Sequence, residues 1–267
     1  MSAAELTEDR ERRSRTVSHG GEQLYAEVTG QGPVVVFCHG LGGNHAIWWR
    51  QVDAFARDHT VITWDQRGFG NSTVATGEAG IEPAVDDLGA VLDAFGVDRV
   101  HLVGQSMGAF VALRFALRYP GRTRSLVLST TLAAADPALT RGLLAAVPRR
   151  PLRDRHAVLS ERFAEGNPDL AVLYNQISSF GTKPPVAAML ESMAGQTFSD
   201  EELGRVTCPV LCLAAEQDRL CPPDVMKAVA ARLSTARFAV LPDTGHSAYY
   251  ETPAAWNSTV LEFLAIA

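Results

Sequence analysis

What this chain lacks narrows its function. Its 267 residues contain no apolar run long enough to span a bilayer. Residues 1–15 are charged and have no apolar centre of the kind a secretion signal needs. The two absences predict a cytoplasmic protein with no membrane partner. Positive charge is not in excess: the formal net charge is −6, so nucleic acid is not an expected partner either. Cysteine is scarce. Cys38, Cys208, Cys212 and Cys221 form no CxxC pair, and no histidine completes a metal-ligand spacing, so the expectation is buried free thiols and no metal. No internal repeat and no low-complexity tract is present, which leaves one large domain, or one domain carrying an insertion.

Hydrophobic residues make up 46% and charged residues 20%, the balance of a globular enzyme. Residues 16–18 and 23–28 read as short strands joined by a hairpin at His19-Gly20-Gly21. Residues 33–38, 61–64, 99–103, 125–129, 209–214 and 236–241 are apolar runs of strand length. Helical patterns cover 44–57, 82–95, 109–117, 223–233 and 253–265. The alternation predicts an α/β fold, a mostly parallel sheet flanked by helices on both faces. It stops at residues 131–204, where helical patterns and prolines replace strands. The expected organisation is a core of 16–130 and 205–267, a helical cap at 131–204, and a flexible arm at 1–15.

Gly104-Gln105-Ser106-Met107-Gly108 lies between the last of the early apolar runs and a helix. A serine on a sharp strand-to-helix turn has its Oγ pushed into open space, above the unpaired N–H groups that begin the helix. A serine hydroxyl needs a base, and the base needs an orienting carboxylate. In parallel sheets such groups collect at the carboxyl ends of strands. His246 follows one such strand in Asp243-Thr244-Gly245-His246. Asp218 follows the neighbouring one, and is preferred over Glu216 and Asp243 because it can approach the imidazole from behind. His39-Gly40-Leu41-Gly42-Gly43 follows residues 33–38 and can turn a backbone N–H toward Ser106. The oxyanion donors are therefore assigned to the N–H groups of Leu41 and Met107, with His39 holding the loop.

These segments, with Asp65-Gln66-Arg67-Gly68-Phe69-Gly70-Asn71-Ser72, resemble the α/β-hydrolase fold superfamily from near residue 20 to the C-terminus. The resemblance implies an eight-stranded sheet, a Ser106–His246–Asp218 triad, no cofactor and a small-molecule substrate held between cap and sheet. It makes Asp65 and Arg67 structural. Gln105, Tyr174, Phe180, Met189 and Tyr249 are the expected substrate-binding residues. Leu132, Ile177, Met193 and Tyr250 are further candidates, and Trp48 or Trp49 is a candidate for the pocket mouth. The cluster Arg149, Arg150, Arg153 and Arg155 reads as a solvated face.

The expected reaction is hydrolysis of an ester or lactone through an acyl-enzyme. A carbon–carbon hydrolase of a ring-cleavage product is the main alternative, and would need an inward arginine such as Arg114 or Arg118. A lyase or cyclase, a cofactor-free peroxidase and a ligand receptor are the others. The absence of an aspartate at position 106 argues against dehalogenases and epoxide hydrolases. A homo-oligomer is compatible with the sequence.

Overall fold

A computed structural model describes residues 11–147 and 158–267. The four arginines of the 149–155 cluster and most of the N-terminal arm lie outside the described residues. The sheet has eight strands: β1 (Arg13–His19), β2 (Glu22–Thr29), β3 (Val34–Cys38), β4 (Thr60–Trp64), β5 (Val100–Gln105), β6 (Thr123–Ser129), β7 (Val210–Ala215) and β8 (Ala236–Leu241). Their order is β1-β2-β4-β3-β5-β6-β7-β8. The pairs β1–β2 and β2–β4 are antiparallel and the rest are parallel.

The first strand is longer than its pattern suggested. Arg13, Ser14 and Arg15 pair with Val28, Glu27 and Ala26, so the arm becomes ordered strand earlier than expected. An edge strand open to solvent carries polar residues without an alternating signal, which hid its start.

The central strands are apolar throughout because both faces are covered. Side chains alternate between two cores, as the pleat requires. Val36, Cys38 and Leu102 point into one core, packed under α2 (Ile81–Ala94) and α3 (Met107–Arg118). Val35, Phe37 and Val103 point into the other, which holds α1 (Trp49–Phe55) and the last helix, Pro253–Leu264. The segment expected as one helix over 44–57 is split. Asn44 accepts a hydrogen bond from Ala46 N and starts a single 3₁₀ turn, His45–Trp48, before α1. Trp48 is fully buried against Phe37, Tyr249 and Trp256, whereas Trp49 is exposed and stacked on Arg50. Neither borders the cavity described below.

Between β6 and β7 the described residues hold α4 (Pro137–Ala146), α5 (Glu161–Gly166), α6 (Pro168–Ser179), α7 (Val186–Ala194) and α8 (Asp200–Leu203). The chain then continues through α9 (Pro223–Ala231), α10 (Ala248–Glu251) and α11 (Pro253–Leu264). The loop after β4 is fixed by polar anchors. Arg67 donates to both carboxylate oxygens of buried Asp87 on α2, at 2.6 and 2.7 Å. Asp65 accepts from the backbone N–H groups of His45 and Asn71. No described helix is long and apolar enough to cross a membrane.

Two buried histidines give the fold a pH dependence. Burial pushes His39 and His101 down to about 4, and for His101 the charges of Arg124, His59 and Arg99 add to it. The unfolded chain protonates them near their ordinary value of 6.5. It therefore binds more protons between those values, and stability falls as pH drops from 6.5 toward 4. Thermal unfolding should show a lower Tm at about pH 5 than at about pH 7.5, and His101→Gln should shrink the difference. An undiminished difference in the variant would remove His101 from this account.

Candidate active site

Ser106 sits between β5 and α3 with φ +51° and ψ −116°. This is a backbone conformation that non-glycine residues adopt only when their surroundings force it. The surroundings are visible at the two flanking glycines. A β-carbon at Gly104 would lie 2.4 Å from Ala109 Cα, and one at Gly108 would lie 2.1 Å from the Cys38 carbonyl oxygen. No side chain fits at either position, so strand and helix close on each other and lift Ser106 out of the turn. Ser106 N donates to the Ser129 carbonyl at 3.0 Å, and Thr131 Oγ1 donates to the Ser106 carbonyl at 2.8 Å.

His246 and Asp218 come from the loops after β8 and β7, which are paired neighbours. His246 Nδ1 lies 2.8 Å from Asp218 Oδ2, and both side chains are buried. Asp218 Oδ1 also accepts from the N–H groups of Leu220 and Cys221, at 2.8 and 2.9 Å. With Nδ1 donating to the carboxylate, Nε2 is the nitrogen left for a reacting group. Nε2 has no hydrogen bond among the described residues; such contacts tighten when substrate binds. Glu216 and Asp243 are engaged elsewhere: Glu216 Oε2 accepts from Asp243 N, and the Asp243 carboxylate pairs with Arg162 at 3.0 Å.

The backbone around His246 is held from three sides. Gln105 Nε2 and Thr130 Oγ1 donate to the His246 carbonyl at 3.2 and 2.9 Å. Buried Glu251 accepts from Gly245 N at 3.0 Å and from Ser160 N and Oγ at 3.0 and 2.7 Å. Burial pushes the Glu251 carboxyl up, against the pull of these hydrogen bonds. Thr130 and Glu251 were not singled out from sequence. Thr130 had one signal, a polar Ser129-Thr130-Thr131 ending on an apolar strand.

His39 holds its loop as expected. Gln66 N donates to Nε2 at 3.1 Å, which leaves Nδ1–H to donate to the Gly40 carbonyl at 2.9 Å. The loop lies directly on the elbow, since a β-carbon at Gly40 would be 3.2 Å from Ser106 Cβ. The Leu41 N–H has no acceptor among the described residues. That of Met107 is the first of α3, without an intrahelical partner.

Ser106 and His246 border one cavity of about 50 Å³, walled by Leu41, Leu132, Leu144, Leu190 and Met193. Gln105 and Tyr174 also line it. Three expected binding residues do not. Met189 is buried in the core, because α7 turns Leu190 and Met193 to the cavity instead. Tyr249 is buried with its ring centroid 4.5 Å from that of Trp48, since α10 is a single turn and its neighbours diverge. Phe180 follows the end of α6 and is 49% exposed, beside Ile177 and His45 in a surface groove. Tyr250 donates to the Leu170 carbonyl. Arg114 and Arg118 point outward, to Glu82, Glu202 and Asp86.

Cys221 also borders the cavity, and its sulfur lies within 4.8 Å of the ligand atoms of Asp218 and His246. The fold thus supplies a histidine near one cysteine that the sequence spacing did not reveal. Burial, with Asp218 beside it, pushes this thiol well above its ordinary value.

Glu251→Ala strands buried donors on both Gly245 and Ser160. It should destabilise the fold by about 3 kcal/mol in urea unfolding, with Glu251→Gln, which keeps an acceptor, costing less. Equal losses in the two variants would contradict the hydrogen-bonding role.

Comparison with known proteins agrees with this fold. Residues 33–253 match the alpha/beta hydrolase fold family. A protein of Azorhizobium caulinodans named "Putative carbamate hydrolase RutD" is 31% identical over 92% of this chain and 97% of its own. The structure of a thermophilic esterase from Thermogutta terrifontis aligns with a TM-score of 0.80 at 29% identity, over 96% of this chain and 98% of that one. Est816, described as an N-acyl homoserine lactone degrading enzyme, aligns with a TM-score of 0.80 at 25% identity, over 93% and 100%. With its eight-stranded sheet and its serine elbow between β5 and α3, this chain belongs to the α/β-hydrolase fold family.

Proposed function

We propose that the protein hydrolyses a carboxylic ester or lactone of a small to medium, partly hydrophobic compound through an acyl-enzyme. The observation that carries this reading is the 2.8 Å contact of His246 Nδ1 with Asp218, behind a serine raised on a positive-φ turn at the same cavity. Ser106 Oγ attacks the carbonyl carbon while His246 Nε2 takes its proton. The oxyanion is held by the N–H groups of Leu41 and Met107. Asp218 orients the imidazole and stabilises the imidazolium. His246 then gives its proton to the leaving alcohol oxygen as the carbon–oxygen bond breaks. Water, deprotonated by His246, attacks the acyl-enzyme and releases the acid and the free serine.

In this reading residues 131–204 are the cap, and 16–130 with 205–267 are the core. Support comes from α4, α6 and α7, which contribute Leu144, Tyr174, Leu190 and Met193 to the wall facing Ser106. The esterase and lactone-degrading enzyme among the similar structures favour an oxygen leaving group. The carbon–carbon alternative asked for an inward arginine, and Arg114 and Arg118 are tied to surface carboxylates instead.

A panel of 4-nitrophenyl esters and simple lactones tests the reading. The small volume beside Ser106 predicts that compact acyl groups such as acetyl are turned over. Ser106→Ala should lower kcat by about 10⁴-fold or more, and Asp218→Asn by about 10⁴-fold, with unchanged circular dichroism. Undiminished turnover in Ser106→Ala would sink the mechanism.

A further inference from the structure

The cavity at Ser106 is too small for more than a compact group, and a larger one adjoins it. Leu41, Val158 and Tyr174 are common to its wall and to that of a second chamber of about 400 Å³. That chamber is mainly apolar, bordered by Phe69, Pro184, Pro185 and Val186. Its polar side chains are Asn175, Ser178 and Lys183, and no described carboxylate lines it.

Lys183 is one of two lysines in the chain, with Lys227. It makes no ion pair or hydrogen bond among the described residues. The residue is exposed by surface area, and the apolar groups around its stem lower the pKa of its ammonium by desolvation. The backbone carrying it is anchored on both sides. Thr182 N donates to the Gly70 carbonyl at 3.1 Å, and Thr182 Oγ1 to the Ser72 carbonyl at 3.2 Å. Pro184 follows and packs against Gly68, where a β-carbon would come within 2.8 Å of its ring. Lys183 is exposed and its ammonium is hydrated, but it is the one charged side chain among the described residues lining this apolar chamber, so an anionic group on a ligand held there would pair with it.

We propose that the substrate extends from Ser106 past Leu41 and Tyr174 into this chamber, and carries a carboxylate that Lys183 binds. The inference rests on the proposed hydrolytic reading and specifies its substrate class: an ester or lactone with a hydrocarbon stretch between the scissile group and an anionic end. The apolar walls take the stretch, Lys183 takes the charge, and Asn175 and Ser178 line the same chamber with hydrogen-bonding groups.

The test compares monomethyl esters of straight-chain dicarboxylic acids, from succinate to suberate, with the matching dimethyl esters. A second pair, 6-acetoxyhexanoate and its methyl ester, places the carboxylate on the alcohol side. The expected result is that at least one anionic ester is preferred over its neutral partner. Lys183→Gln should lower kcat/KM for that ester about tenfold, mainly through KM, and leave the neutral ester within about twofold. Lys183→Arg should restore most of the preference. If 4-nitrophenyl acetate is cleaved in a Ser106-dependent way but no anionic ester is preferred, or the preference survives in Lys183→Gln, the lysine subsite is wrong and the hydrolytic reading stands. If no ester or lactone is cleaved by the folded protein, the hydrolytic reading itself fails, and the subsite with it.

Discussion

The closure of β5 on α3 is the constraint on which the rest of the site depends. Two positions, Gly104 and Gly108, admit no β-carbon, because the helix backbone and the end of β3 occupy the space. That contact forces Ser106 to φ +51° and aims its hydroxyl away from both elements. It also puts the first N–H groups of α3 under the serine and the loop after β3 beside it. The proposed nucleophile and its proposed anion-stabilising groups thus follow from one steric fact.

The other catalytic candidates are brought to this point by sheet order. The strands β5, β6, β7 and β8 are parallel neighbours, so their carboxyl ends lie along one edge. Ser106, Thr130, Asp218 and His246 leave from successive ends. Hydrogen bonds then remove the slack. Gln105 and Thr130 hold the His246 carbonyl, Glu251 holds the amide before it, and His39 holds the loop of Leu41. Each bond is buried, where an unmade partner costs most. The site is rigid where chemistry would occur. The adjoining walls come from α4, α6 and α7, which pack by apolar contact and by hydrogen bonds such as those of Tyr174 with Ser247 and of Tyr250 with the Leu170 carbonyl.

Much of this was legible beforehand, for identifiable reasons. Strands such as Val34–Cys38 and Val210–Ala215 are apolar because helices cover both faces, and that pattern needs no partner to be read. The G-x-S-x-G segment states its own turn. His246 stood apart from other histidines by the glycine before it and its place after the last strand, and Asp218 from Glu216 and Asp243 because a carboxylate there can approach the imidazole from behind. Edge and insertion were harder. Arg13–Arg15 belong to a solvent-facing strand without alternation. In α7, Met189, Leu190 and Met193 are all apolar, so nothing local says which residue meets the core and which the cavity.

The sequence alone determined the order of elements, the interruption between β6 and β7, and the chemistry each strand end can offer. Those follow from short-range rules: periodicity, glycine sterics and residue type. Tertiary structure decided everything that depends on helix phase and on meetings between distant segments. It turned Tyr249 and Phe180 away from the cavity and Leu144 and Leu190 toward it. It placed Cys221 beside His246, set Glu251 against Gly245 and Ser160, and put Lys183 in the wall of a second chamber. The physical reason is that a side chain's direction on a helix is chosen by what the helix packs against, and the packing partner lies elsewhere in the chain.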